Sequence, residues 1–256
     1  MAFLSVIVAQ GAPSHAIVGG TQADLFHDRG VVSRMGVLVG RDGSALCAGV
    51  VLDEWTVITT ASCAEPAWGA GGLFFNRGDY DLSSLTEAPN QVVPVSSVTP
   101  HPRYGDQWGE YDLAVLKVSE PMGPFLEGDS PTLGNRKLEQ AGTQVVIFGW
   151  GARSFGGSAQ SLLRRAEMRV AATEACRAAI GPYATPHSLC LEGERAIGSC
   201  HGDEGGPVLA REDSGQYSLI ALIGKHGNRC AEMPYEANVR ISAFRSWIID
   251  QLGRQP

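Results

Sequence analysis

Short runs rich in β-branched and aliphatic residues recur along this chain, fenced by Gly, Pro or Asp. The clearest are Val37-Leu38-Val39, Gly49-Val50-Val51-Leu52, Thr56-Val57-Ile58-Thr59 and Gln91-Val92-Val93. Leu113 to Val118, Gln144 to Phe148, Pro207-Val208-Leu209 and Ser218 to Ile223 continue the series. Breakers at both ends cut these runs to strand length. Their spacing predicts an all-β sandwich or barrel, not alternating βα units. The 32 glycines and 14 prolines supply the turns such a fold needs. Residues 119–135, with Pro121, Gly123, Pro124, Gly128, Pro131 and Gly134, are the densest in breakers and read as a linker between two β-halves. Only two stretches read as helix. Over 242–252, Ser242 is a candidate cap, and Phe244, Trp247, Ile248 and Leu252 form one apolar stripe. Over Thr173–Ile180, Thr173 is a candidate cap with Glu174 in the first turn. No internal repeat of fixed period is visible.

The charge pattern narrows the partners. A net charge of −7 disfavours nucleic acid and anionic membrane as bulk electrostatic partners. Arg153, Arg164 and Arg165 read as solvated surface. The 6 cysteines are scattered and form no Cys-x-x-Cys pair, which fits disulfides rather than a metal site. Their pairing is open at this level, since six cysteines allow about fifteen connectivities. Residues 2–9 are apolar but too short to span a bilayer. They read as the core of a signal peptide without the usual basic start, with cleavage after Gly11 or Ala16. The expectation is a leader or short propeptide over 1–16 and a secreted domain over 17–256. No later stretch reads as a membrane helix, and no Asn-x-Ser/Thr sequon is present. No cofactor and no metal are expected. The expected partner is a protein or peptide, with no nucleic acid and no membrane, and the chain is expected to be a monomer.

A series of ordered motifs then carries a resemblance. Ile17-Val18-Gly19-Gly20 comes first, and Thr59-Thr60-Ala61-Ser62-Cys63 follows. His101-Pro102 with Tyr104 precedes Tyr111-Asp112-Leu113-Ala114-Val115-Leu116. Phe148-Gly149-Trp150-Gly151, Gly202-Asp203-Glu204-Gly205-Gly206-Pro207 and Phe244-Arg245-Ser246-Trp247-Ile248 complete the set. In this order they resemble the trypsin/chymotrypsin-like serine peptidases from about Ile17 to Trp247. The resemblance implies two six-stranded antiparallel β-barrels, over about 30–120 and 136–241, a cleft between them and a C-terminal helix. It also implies three disulfides: Cys47–Cys63, Cys176–Cys190 and Cys200–Cys230.

By the same resemblance Ser62, Asp112 and Glu204 occupy the three triad positions. The triad uses a serine to attack, a histidine to take its proton and an aspartate to orient the histidine. Only Asp112 keeps its type. A hydroxyl at Ser62 is a very weak proton acceptor near neutral pH. A carboxylate at Glu204 can attack carbonyl carbon in principle, but without an acid for the leaving amine the return to substrate wins. The chain therefore reads as a family member that binds without cleaving, acting as a cofactor, decoy or competitor. The alternative is a hydrolase with relocated groups, in which His201 or His226 would have to serve. A metal site from Asp112, Glu204 and His201 has no diagnostic spacing. His15, His27, His101 and His187 read as ordinary loop histidines.

Further roles follow from the alignment of motifs. Gly202 and the backbone of Glu204 match the oxyanion hole, and the Glu204 carboxylate is expected to fold into it. With Asp112 nearby, the apparent pKa of one of these two carboxylates, Asp112 or Glu204, is expected to rise. Asp203 matches the partner of a new N-terminal ammonium at Ile17, although Ala16 does not support a trypsin-like cut. Gly198, Gly224, His226 and Glu236 fall on the specificity pocket, which the bulky His226 and Glu236 at glycine positions are expected to narrow or block. Arg77-Gly78-Asp79 spells an integrin-binding tripeptide but matches a structural stretch of the family. Asp79 and Glu87 fall near a calcium loop of some relatives, with an incomplete ligand set.

Overall fold

The chain, seen as a computed structural model, is described over residues 17–65, 72–84, 91–105, 110–125, 130–194, 196–225 and 230–252. The expected leader, Glu87 and His226 lie outside the described residues. A two-residue strand β1 (Thr21–Gln22) and a short helix α1 (Arg29–Ser33) come first. The first barrel follows, with β2 (Met35–Val39), β3 (Ala45–Asp53) and β4 (Thr56–Thr59), then helix α2 (Ala61–Ala64). It is completed by β5 (Phe74–Arg77), β6 (Gln91–Pro100) and β7 (Ala114–Val118). These six strands close on themselves in the order β2-β3-β4-β7-β6-β5, all antiparallel.

The second half contains β8 (Thr132–Leu133), β9 (Gln144–Gly149), β10 (Arg164–Val170), helix α3 (Thr173–Ile180) and β11 (Ser188–Glu192). Then come β12 (Pro207–Arg211), β13 (Tyr217–Leu222), β14 (Tyr235–Arg240) and the terminal helix α4 (Ile241–Leu252). Antiparallel pairing runs β9-β10-β11-β14-β13-β12 and returns to β9, which closes a second six-stranded barrel. Outside this ring, β1 pairs with β10 and β8 runs parallel to β13. The chain before the first barrel is thus anchored on the second. The expected architecture of two barrels and a C-terminal helix is the observed one.

Each barrel is filled by alternate side chains of its own strands, as a two-residue period requires. Leu38, Val51, Val57, Phe75, Val93 and Leu116 fill the first. Ile147, Met168, Leu189, Leu191, Val208 and Ile220 fill the second. A further cluster joins Val37, Ile58 and Val115 of the first barrel to Phe148, Leu209 and Leu222 of the second, with Ile241, Phe244 and Ile248 of α4. That shared cluster forms the floor of the seam between the barrels.

Both predicted helices form, but neither uses the expected cap. The residue before α3 is Ala172, with no side-chain cap bond, and Thr173 is already inside the helix. Ser242 is the second residue of α4, and its hydroxyl donates to Glu139 Oε2 at 2.7 Å. Arg240 also donates to Glu139, so a buried carboxylate organises the approach to α4. The Arg77-Gly78-Asp79 tripeptide is interior: Arg77 and Asp79 are both 0% exposed, and Asn76 donates to Asp79. An integrin ligand has to be displayed, so the tripeptide acts in the fold as structure.

Candidate functional site

The first half of the site hangs from β4. The chain leaves β4 through Thr60, turns into α2 and is tied back to β3 by the Cys47–Cys63 disulfide. This places Ser62 against Asp112, which lies just before β7, the neighbour of β4 in the barrel. The Ser62 amide donates to Asp112 Oδ1 at 2.7 Å, and its hydroxyl donates to Oδ2 at 2.8 Å. Both carboxylate oxygens are therefore occupied by one residue. Asp112 is 3% exposed, and burial pushes its carboxyl above the ordinary aspartate value. The two Ser62 donors, Lys225 and the Ala61 amide oppose that shift. The Ser62 hydroxyl donates its proton to Asp112, and its oxygen is too weak a base to take the place of an imidazole.

The second half is the loop from Cys200 to Gly206. Its position is fixed by contacts with both barrels. The Ala48 amide of β3 donates to the Glu204 carbonyl at 2.9 Å, and the Gly205 amide donates to the Ile223 carbonyl at 2.9 Å. Gly205 has φ of +78°, and a side chain there would overlap Thr59 Oγ1 and the Ala48 carbonyl. Glycine is thus required for the loop to reach the first barrel. In this loop the Glu204 side chain turns back on its own backbone. The Gly202 amide donates to Glu204 Oε2 at 2.6 Å, and His201 Nδ1 lies 3.7 Å from Oε1. Glu204 is buried (9% exposed), whereas the His201 side chain is 43% exposed and lies beside the Phe155 ring.

Asp203 faces the other way, into the second barrel. It is 0% exposed; Oδ1 accepts from the Gly151 amide at 2.7 Å and Oδ2 from the Cys200 amide at 2.9 Å. A side chain at Gly149 or Gly151 would overlap its carboxylate, which explains the Gly-Trp-Gly run. Burial pushes the Asp203 carboxyl well above its ordinary value, and the negative charges of Glu204 and Glu236 add to that. Of the carboxylates near this loop, Glu204 acts on its neighbour Asp203, and Asp112 responds first to burial. Ile17 is fully buried in the second barrel with φ of +48°, and its carbonyl accepts from the Gly20 amide. The described donors to Asp203 are the backbone amides of Gly151 and Cys200.

Of the expected pocket residues, Gly224 and Glu236 line a cleft of about 810 Å³ together with Asp112, Ser199 and Lys225, among others; Gly198 is not on its lining. Glu236 reaches the space above Gly198: its Oε2 lies 3.2 Å from where a Gly198 side chain would begin. It is held by the Ser199 amide and hydroxyl (3.1 and 2.7 Å) and by Asn238 Nδ2 at 3.2 Å. Asn238 also accepts from the Gly224 amide. The carboxylate therefore narrows the floor while the cleft as a whole stays large. Ser199 and Asn238 escape sequence reasoning because uncharged polar residues acquire this role only through the partner they meet. The disulfides Cys47–Cys63, Cys176–Cys190 and Cys200–Cys230 are formed, and the last closes the loop that precedes Glu204. Among the described residues no three His, Cys, Asp or Glu side chains converge as metal ligands.

The sequence of this chain is similar to those of known proteins. The sequence profile named Trypsin matches residues 17–248. Human serine protease 56 is 29% identical over 222 residues, covering 82% of this chain and 35% of that protein. The chain thus spans about a third of the length of that relative. The trypsin of Saccharopolyspora erythraea is 29% identical over 249 residues, covering 93% of this chain and 98% of that protein. Chymase of Canis lupus familiaris is 27% identical over 252 residues, with 97% and 94% covered. Because the family profile runs through both barrels, the seam between them and most of the last helix, this chain belongs to the trypsin family.

Proposed function

We propose that this trypsin-family chain is a secreted, non-proteolytic homologue that binds a protein or peptide partner in its cleft, as a cofactor, decoy or competitor. The observation that carries the reading is the Glu204 carboxylate accepting the Gly202 amide. In an acyl-transfer site such an amide stabilises the oxyanion of the transition state. Here a fixed negative charge already occupies it, and an oxyanion placed beside that charge would be repelled. Ser62 supports the same conclusion, since it donates to Asp112 and leaves no imidazole between base and nucleophile positions. Loss of base and nucleophile together removes about six orders of magnitude of rate. The cleft itself remains large, and Tyr183 and Met233 on its lining are 54% and 40% exposed. Apolar and aromatic residues at a rim of this kind suit contact with another protein. The disulfides fit an oxidising compartment.

The test is hydrolysis of a broad peptide library by the chain beginning at Ile17, beside Glu204→Ala and the double variant Ser62→His/Glu204→Ser. No turnover is expected from the parent or from Glu204→Ala. Turnover by the parent that disappears in Glu204→Ala would make Glu204 a working catalytic group and overturn the reading. Turnover only in the double variant would mean that the rest of the machinery is intact and that these two positions alone abolish it.

A further inference from the structure

Arg77 carries a buried cation into the end of the first barrel. Side chains two apart share one face of a strand, so Arg77 lies on the same face of β5 as Phe75, which packs inside that barrel. In the ladder Arg77 stands opposite Gly36 of β2. A side chain at Gly36 would overlap the Asn76 carbonyl, the Phe75 ring and the Arg77 Cα. The two strands are therefore tightly apposed where their pairing closes the ring. Arg34, two residues before Gly36, reaches the same place. Both guanidiniums lie on the ring of Phe125, which belongs to the segment after β7. Arg34 Cζ is 3.6 Å from the ring centre and Arg77 Cζ is 4.6 Å from it. Arg77 is 0% exposed and Arg34 is 7% exposed.

Arg34 has further contacts of its own. The Arg77 guanidinium differs: Nε, Nη1 and Nη2 are all buried and none of them donates a hydrogen bond. A guanidinium offers five N–H donors and a permanent charge. Asp79 is buried two residues further on, yet it takes its hydrogen bond from Asn76. Among the described groups the charge that acts on Arg77 is Arg34, of the same sign; burial first, then Arg34, pulls the Arg77 guanidinium below the ordinary arginine value. A ring face offsets part of the cost of taking a cation out of water but leaves the N–H groups unbonded. Buried charges in folded proteins are paired as well as hydrogen-bonded. Water at Arg77 would bond the N–H groups and leave the repulsion from Arg34 in place. An anion answers both.

We propose that the closing end of the first barrel is a binding site for a small inorganic anion of the chloride class, held by the N–H groups of the buried Arg77 guanidinium beside Phe125 and Arg34. The ion is small because Arg77 has no exposed surface and because β2 and β5 leave no room for a side chain at Gly36. Binding there ties together β2, β5 and the segment that carries Phe125, and so stabilises the closure of the barrel. The site lies outside the cleft and stands independently of what the cleft binds.

The experiment is thermal melting of the full chain while sodium gluconate is exchanged for sodium chloride at constant ionic strength, beside Arg77→Met. An ion that binds the folded chain alone raises its melting temperature, here by about 3–5 °C for each tenfold rise in chloride above the dissociation constant. The parent is expected to show that rise. Arg77→Met keeps the length of the side chain and removes the charge, and is expected to show only the general salt effect. In gluconate it is expected to melt no lower than the parent, because an unpaired buried charge is gone. Bromide-soaked crystals of the parent carry the test if Arg77→Met does not fold, with an anomalous peak expected against the Arg77 nitrogens. A parent that does not respond to chloride, or an Arg77→Met chain that responds equally, overturns the site. A chloride response with no bromide at Arg77 places the ion elsewhere and overturns it as well. A bromide peak at Arg77 without any chloride response in solution is binding at crystal concentration only, and also overturns it.

Discussion

Glu204 and Asp203 are adjacent carboxylates with opposite settings. Glu204 turns outward to the loop and takes the Gly202 amide, whereas Asp203 turns inward and takes the amides of Gly151 and Cys200. Alternate backbone directions in a tight loop separate two side chains that are neighbours in sequence. Replacing Asp203 by Ala would leave two buried amides without acceptors, each worth about 1–3 kcal/mol. Urea denaturation of Asp203→Ala is expected to show a loss of about 3 kcal/mol or more; a loss under about 1 kcal/mol would mean that water or a shifted backbone replaces the carboxylate. At this scale the sequence exposed the residue types at Ser62, Asp112 and Glu204 but not their bonds. That Ser62 donates twice to Asp112 depends on the turn into α2, which no motif spells out.

Among the elements, α4 was the easiest to read, because Phe244 and Ile248 repeat at helical spacing and both pack in the shared core. Ile248 is 0% exposed, so Ile248→Ala is expected to cost about 2–5 kcal/mol in the same assay. A cost under about 1 kcal/mol would mean that the helix end collapses into the space. Besides the two-residue β1 and β8, four barrel strands were not singled out from sequence: β5, β10, β11 and β14. The reason is visible in β10, where Ala166, Met168 and Val170 face inward while Arg165, Glu167 and Arg169 alternate with them. Four of its seven residues are charged, so the segment reads as polar although its period is two. In β5 the signal is hidden differently, since Asn76 and Arg77 are polar yet buried. The caps of α3 and α4 were misread because Thr173 and Ser242 sit one or two positions inside the helices. Ser242 spends its hydroxyl on Glu139, a residue more than a hundred positions away in the chain.

Across the whole molecule the two barrels share one hydrophobic cluster with α4, and β1 crosses from before the first barrel to pair on the second. Neither barrel can lose its seam face without exposing the other. Calorimetry at neutral pH is therefore expected to show a single transition with matching calorimetric and van't Hoff enthalpies. Two separated transitions would mean that the seam is weaker than its burial suggests. What the sequence determined was the class of fold, the breaker-rich segment between its halves, the final helix and the identities of the residues at the three key positions. These follow from local patterns: strand-length apolar runs, punctuation by Gly and Pro, and ordered motifs. Only the tertiary structure decided where each polar group spends its hydrogen bonds. It turned Glu204 onto Gly202, set Glu236 between Ser199 and Asn238, and brought His101 and His187 together on Tyr111. Those choices join residues far apart in the chain. Burial forces each polar group to find a partner, and chain closure, not local sequence, determines which partner is within reach.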